Sequence, residues 1–561
     1  MRASLLFLAT LAVGCGGKTV TGEAGDDGGV TPGAETSVTP PDDRPPPPRP
    51  STPTDKMDLL LVIDNSISMA DKQHELARRL PELVRDLTVP QFDASGKPRT
   101  KAVADLHVGV ITSSLGSHGT SACAPEITNK HNNDRGHLLP RAGEGSGTGF
   151  QLTGSTVSTA KCPAPIAASA IAWKPGSPDP GLATSCIVQS VKDDGCGYEE
   201  TLEATYRFLV DPAPYASAQV KCTFGISGDA CGNNKISVEG LDTELLAQRA
   251  AFLRPDSTVV VLVLSDENDA SLKPAGLNWL PWGYGKGQMQ RGWGSCANVP
   301  DAFEPESAAD FNKLHSEYKC FSCFEDASDP NCKVKWATDP LNNDVDGRNL
   351  RSFQQVQRFG YNFLWGRQRY VDAFTQPMVM DSSLKLAPNP LFAGGRSPGN
   401  VLFAAIVGVP KQLVNGADGI PKPALTSADW DKIVGTPDKR DPHMIESIAP
   451  RPGVPHYAGD FSIDPINGGD RDMLDGDDLQ YACIAPRATA EAGGYECEGP
   501  SPDKINPLCG PGGTQPRYKA YPGLRHLRVA KEVGGYVASI CDQGLDAPIK
   551  GLVRRLQSLI K

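Results

Sequence analysis

The sequence predicts an α/β fold: a doubly wound, mostly parallel sheet flanked by helices and interrupted by long disulfide-rich insertions. Three observations carry that prediction. Apolar runs of strand length without alternation recur along the chain, as strands buried on both faces require. Amphipathic segments of helical period stand between them, and strands alternating with helices build parallel sheets joined by right-handed crossovers. Cysteines crowd the stretches that separate these elements.

The first segments are not part of that sheet. Met1-Arg2 gives a minimal positive start, and Leu5–Val13 is an apolar segment too short to span a bilayer. Leu11-Ala12-Val13-Gly14-Cys15 then resembles a bacterial lipoprotein signal, although Ala12 stands where leucine is commoner. The resemblance implies removal of residues 1–14 and acylation of Cys15. Several acyl chains there hold a protein stably on a membrane, where one would not. An ordinary secretory signal with an incidental Cys15 is the other reading. Residues 15–56 contain nine prolines and no aromatic side chain, so they cannot bury a core and read as a solvated tether. At ~3 Å per residue such a tether reaches on the order of 100 Å. The expected location is a bacterial cell envelope, anchored to the outer membrane with the domain exported.

Composition agrees with export. Taking Cys15 from the 15 cysteines leaves an even number, which an exported chain uses as disulfides. The local pairs expected are Cys222 with Cys231 and Cys497 with Cys509. The 561 residues allow two to four domains, or one with heavy insertions. A balance of 55 basic against 66 acidic residues, with no basic block, argues against a nucleic-acid partner. The longest apolar runs of the body, Val259–Leu264 and Val401–Val409, fall far below the ~20 residues of a membrane-spanning helix.

The domain is read as residues 57–561. Met57–Ile63 is a buried strand that ends in Asp64-Asn65-Ser66-Ile67-Ser68-Met69. An amphipathic helix follows, with Leu76, Leu80, Leu83, Val84 and Leu87 on one face, and Pro81 is expected to kink or split it. Leu106–Ile111 is a second strand. Glu199–Val210 and Leu241–Leu253 read as helices. Val259–Leu264, ending in Ser265-Asp266-Glu267-Asn268-Asp269, and Val401–Val407 are further strands. Gly535–Ile540 is the last strand, and Ile549, Leu552, Val553, Leu556, Leu559 and Ile560 mark a closing helix.

A carboxylate and two hydroxyls at alternate positions therefore leave the carboxyl end of a buried strand and enter a helix. Ligands bind at such ends in open α/β sheets, and these hard oxygens suit Mg²⁺, Mn²⁺ or Ca²⁺. Asp and Ser also favour helix N-caps, so a capping box explains the same residues.

This strand-then-Asp64-x-Ser66-x-Ser68 loop resembles the metal-ion-dependent adhesion site of von Willebrand factor type A domains. The similarity extends to the bacterial lipoprotein branch of that family through the acidic Asp266–Asp269 loop and a cysteine before the last helix. It implies a Rossmann-like fold, a divalent cation (Mg²⁺ first, Ca²⁺ or Mn²⁺ next) held by Asp64, Ser66, Ser68 and Asp266, and a protein ligand that completes the coordination. The family's threonine ligand has no counterpart, because Cys196 stands nearest to its place. Glu199, a backbone carbonyl or water would have to compensate.

Residues of about 112–195, 270–400 and 410–525 are read as insertions that leave the carboxyl ends of strands. They are expected to pack as a disulfide-stapled cap beside the site, with one helix in Phe353–Phe374. Other motifs lead to less. Gly395-Arg396-Ser397-Pro398-Gly399 has its strand after the serine, where a nucleophile elbow needs it before. Cys320-x-x-Cys323 with Cys332 lacks the other half of a zinc site, so bridges are expected. His131 and His137 fall in a polar loop read as solvated. Asn342-x-Asp344-x-Asp346-Gly347 starts like an EF-hand but has Phe353 at its twelfth position. Asp470, Asp472, Asp475, Asp477 and Asp478 read as a solvated acidic loop.

Three function classes follow, in order of preference. The first is metal-dependent binding of a protein partner by an envelope lipoprotein that is not an enzyme. The second is a structural or carrier lipoprotein with a vestigial metal site. The third is an enzyme with catalytic groups in the insertions.

Overall fold

The structure is a computed structural model. It describes residues 51–561 except 121–122, 124–130, 140–169, 223–233, 277, 279–280, 282–288, 290, 334–349, 351, 473–477, 493–496 and 498–504. Cys15, the tether up to residue 50, Cys231 and the Asn342–Gly347 motif therefore lie outside the described residues.

Six strands build the central sheet: β1 (Lys56–Ile63), β2 (Asp105–Thr112), β3 (Ala170–Trp173), β4 (Thr258–Leu264), β5 (Val401–Val407) and β6 (Tyr536–Ser539). Their spatial order is β3-β2-β1-β4-β5-β6. All pairs are parallel except β2 with β3. β4, at the centre, carries β-branched or leucine side chains at every position and is buried along its whole length. Such a run suits a strand covered on both faces.

Alternation along β1 assigns the two layers. Met57, Leu59, Leu61 and Ile63 point to one side, where they pack with α1 (Ala70–Thr88), α2 (Pro180–Ser190) and the last helix, Asp546–Leu556. Leu60 and Val62 point to the other, among α3 (Thr201–Leu209), α4 (Thr243–Phe252) and the helices Arg367–Ala373, Ser427–Val434 and Leu524–Val533. Period 2 in the strand feeds two separate cores. The strand order reverses between β1 and β4, so the loops leaving those two strands open onto one crevice.

Several expectations change in three dimensions. Pro81 does not split α1, which continues to Thr88. β3 and α2 fall inside the stretch read as the first insertion, yet they extend the central sheet and cover one of its faces. Phe353–Phe374 forms two short helices, Gln355–Phe359 and Arg367–Ala373, rather than one. Gly360 ends the first with φ +65°, and a Cβ there would meet the Phe321 carbonyl oxygen at 2.5 Å. A side chain is excluded at that crossing, and the helix stops.

The insertions carry their own small cores. Cys196, Tyr198, Ile236, Leu272, Phe359 and Phe363 form one, and Tyr481, Leu508 and Tyr521 belong to another. Bridges staple them: Cys123–Cys196, Cys296–Cys320, Cys323–Cys332, Cys483–Cys541 and the expected Cys497–Cys509. Cys186 is disulfide-bonded as well. The pair of Cys222 with Cys231 cannot be placed, since Cys231 is outside the described residues. Among the described residues no helix is long and apolar enough to cross a membrane.

Candidate metal centre

β1 delivers Asp64 to the crevice and holds it there. The Asp64 backbone N–H donates to the Leu264 carbonyl at 2.9 Å, one step beyond the β1–β4 ladder. From α1, the Gln73 amide donates to the Asp64 carbonyl at 2.9 Å. The Asp64 side chain is fully buried. Its Oδ1 accepts from the Ser66 N–H at 2.8 Å, closing an Asx turn, and its Oδ2 accepts from the Ser265 hydroxyl at 2.7 Å. That turn directs Ser66 and Ser68 into the crevice.

The hydroxyls join the two loops. Ser66 Oγ lies 3.4 Å from Ser68 Oγ, and Ser68 Oγ donates to Asp266 Oδ1 at 3.0 Å. Asp266 is fully buried, and its carbonyl accepts from the Tyr521 N–H at 2.8 Å. Residues about 200 positions apart in the chain (Ser68 and Asp266) thus meet in one hydrogen-bonded cluster.

A cation already stands in that cluster. Lys72, 2% exposed, places Nζ 2.9 Å from Asp266 Oδ2, 3.2 Å from Asp71 Oδ1 and 2.6 Å from the Ser68 carbonyl. It also lies over the Tyr518 ring at 4.8 Å. Burial disfavours the charged Asp266 carboxylate. The charges of Lys72 and then Lys519 outweigh that cost and hold it below its ordinary range. Asp64 has no such neighbour. Its burial, then the Asp266 charge, push it up to about 6.

Glu199 is half-buried at the entry to α3, and its carbonyl accepts from the Ala270 N–H at 2.9 Å. Burial, then the charges of Asp64, Glu267 and Asp266, push its carboxyl well above the usual carboxylate range. Glu267, beside Asp266, is pushed up to about 8 by burial although the Lys519 ammonium sits 2.8 Å from it. Cys196 is 1% exposed and bridged to Cys123, so it brings no oxygen. Its N–H donates to Ser114 Oγ, which donates in turn to Asn65 Oδ1 at 2.8 Å.

The donor chemistry fits a divalent cation: two buried carboxylates and two hydroxyls, gathered where a lysine ammonium now supplies the positive charge. The set falls short of a carboxylate-rich cage. Among the described residues no three His, Cys, Asp or Glu side chains converge on one metal position.

Sequence reasoning missed Lys72, Ser265, Asn65 and Lys519. Lys72 had a signal, since it follows Ser68 by one helical turn. Lys519 had none, because it arrives on a distant insertion. Asp269 proves to be a capping residue: Oδ1 accepts from the Leu202 N–H at 2.9 Å, at the start of α3.

Other candidates resolve as structural. His131 and His137 are buried rather than solvated, paired with Asp134 at 3.0 Å and Asp242 at 2.8 Å. A neutral or charged imidazole between elements gains more from a carboxylate than from water it cannot reach. Of the acidic residues, Asp470 is fully buried against Arg451 and Asp478 pairs with Arg471, whereas Asp472 is exposed; Asp475 and Asp477 lie outside the described residues. Ser397 accepts from the Gly399 N–H as a cap, with β5 following it.

Comparison with known proteins identifies no relative: no family model, no curated protein and no solved structure matches the chain.

Proposed function

We propose that the chain is a cell-envelope lipoprotein, tethered through Cys15, whose α/β domain resembles a von Willebrand factor A domain and binds a protein partner through a divalent cation. The observation that carries this reading is the bond from Ser68 Oγ to Asp266 Oδ1. It gathers the oxygens of the β1 loop and the β4 loop at the switch point of the sheet. Asp64 and Asp266 would supply the charge attraction, Ser66 and Ser68 the neutral oxygens, and Glu199 the remaining support. When bound, the cation offers an open position to a carboxylate of the partner.

Calorimetric titration with Mg²⁺, Mn²⁺ and Ca²⁺ after chelation tests it, comparing the wild-type chain with Asp64→Ala. Binding of one cation by the wild type and none by the variant supports the reading. A wild type and variant that take up the metal equally would refute it. So would a partner whose binding survives both chelator and Asp64→Ala.

A second reading is a structural lipoprotein whose crevice is permanently neutralised. Lys72 beside Asp266 and the bridged Cys196 favour it. Absence of metal uptake in any variant selects this reading.

A further inference from the structure

Lys72 has a position that neither capping nor packing explains. A lysine in the first turn of a surface helix normally extends into water, and lysine is rarely buried unless paired. Here the side chain turns inward, and its ammonium sits between two carboxylates of unequal burial. Asp266 is fully buried inside the crevice, whereas the Asp71 side chain is 18% exposed at the rim. Asp71 is held from its far side by Arg487 of the third insertion, with Nε 3.3 Å from Oδ2.

We propose that Lys72 is a tethered cation that occupies the Asp266 side of the crevice, so that a divalent metal binds only when its ammonium withdraws toward Asp71. The inference rests on the metal reading of the crevice and names the residue that regulates it. The physical reason is exclusion by like charge. A hard cation binds a carboxylate oxygen at about 2–2.6 Å. With Nζ already 2.9 Å from Asp266 Oδ2, metal and ammonium would stand within a few ångströms in a site from which water is largely shut out. Repulsion at that distance and effective dielectric exceeds the attraction of one neutral oxygen. The ammonium also takes the Ser68 carbonyl at 2.6 Å, which holds the β1 loop in its present turn.

Withdrawal is feasible because it need not strand the lysine. Asp71 Oδ1 is already 3.2 Å from Nζ, and it lies at the solvent edge. The Tyr518 ring borders the same path at 4.8 Å and tolerates a cation over its face. The exchange is therefore of one cation for another at Asp266, with Lys72 keeping one of its two carboxylates. A partner that supplies its own carboxylate to the metal would favour the exchanged state.

The test uses the full mature chain in detergent, treated with chelator and then titrated with Mn²⁺ by calorimetry. Wild type, Lys72→Met and Lys72→Met with Asp64→Ala are compared. Lys72→Met should bind Mn²⁺ at least tenfold more tightly than wild type, and the added Asp64→Ala should abolish the gain. Equal or weaker binding by a folded Lys72→Met overturns the inference while leaving the metal reading intact. No binding by either form overturns both.

Removing Lys72 takes the nearest cation from the buried Asp266 carboxylate, so a second measurement on the wild type covers a variant that fails to fold. Amine acetylation followed by mass spectrometry reads the exposure of Lys72 directly. Acetylation at Lys72 should be slow in chelator and rise at least tenfold at saturating Mn²⁺, with the exposed Lys174 as the internal reference. Unchanged labelling of Lys72 at saturating Mn²⁺ overturns the inference.

Discussion

The Ser185 hydroxyl of α2 donates to the Ala77 carbonyl of α1 at 2.6 Å. Ala77 is the residue whose carbonyl Pro81 leaves without its helical donor, four residues on. Gly181 lets the two helices approach there, since a Cβ at that position would lie 2.7 Å from Pro81 Cα. The proton of Ser185 is shared with the Gly181 carbonyl at 2.9 Å. α1 therefore passes through a proline because a neighbouring helix supplies the missing donor.

Ser185→Ala should destabilise the domain by ~1–3 kcal/mol, the cost of a buried carbonyl left unpaired. Pro81→Ala in the same chain should recover most of it by restoring the backbone donor. Urea midpoints of the two variants against wild type check this, and additive losses would contradict it.

Asp58 lies fully buried in β1 yet carries a charge that Arg254 meets, with Nε 2.8 Å from Oδ1 and the backbone N–H 2.8 Å from Oδ2. Arg254→Ala should lower stability by ~3–5 kcal/mol, because a buried carboxylate loses its partner. Arg254→Met combined with Asp58→Leu should lose markedly less. Denaturation of all three forms, disulfides intact, separates the outcomes.

Acid should loosen the α4 side of the domain. Burial alone pushes the Asp242 carboxyl up. The His137 hydrogen bond and the Leu245 N–H, with the charges of His137 and Arg207, outweigh it and hold the group at about 2. An acid depressed on folding contributes its stabilisation fully above its unfolded pKa of ~4 and loses it as pH falls toward ~2. The loss should be on the order of 1–2 kcal/mol after screening by solvent. Asp242→Asn should be less stable at neutral pH and show a flatter stability profile between pH 4 and 2, about the range that the Asp242 pKa spans. Thermal melts across that range provide the measurement, and a parallel profile would dismiss the assignment.

Anchoring is read from partitioning. The wild-type chain should enter a detergent phase, and Cys15→Ser should remain in the aqueous phase, because several acyl chains bind far more tightly than a short apolar leader. Equal partitioning of both forms would rule out lipidation at Cys15.

Much of the scaffold was legible because it is written in local pattern. Val259–Leu264 and Val401–Val407 are unbroken apolar runs, and a chain has few ways to hide such runs other than as strands covered on both faces. Asp64, Ser66 and Ser68 were legible for the same reason: their alternate spacing after a strand is a local signal. The pairing of Cys497 with Cys509 was readable from a short loop, and the bridge is present. Asp58 inside a strand and the donor that lets α1 run through Pro81 carried no such signal, since each depends on partners far along the chain.

By itself, then, the sequence determined the five parallel strands of the sheet and the helices with a clear apolar face, and that Asp64 and Asp266 would stand at strand ends. Hydrophobic period is a property of neighbours along the chain, and it survives in any environment that offers a core. Only the tertiary structure decided which charges would meet. It brought the Lys72 ammonium to Asp266, Ser185 to Ala77, His137 to Asp242 and Arg254 to Asp58. A buried charge or an orphaned carbonyl takes whatever partner packing brings within about 3 Å, and that distance is set by the crossing of whole elements rather than by any local motif.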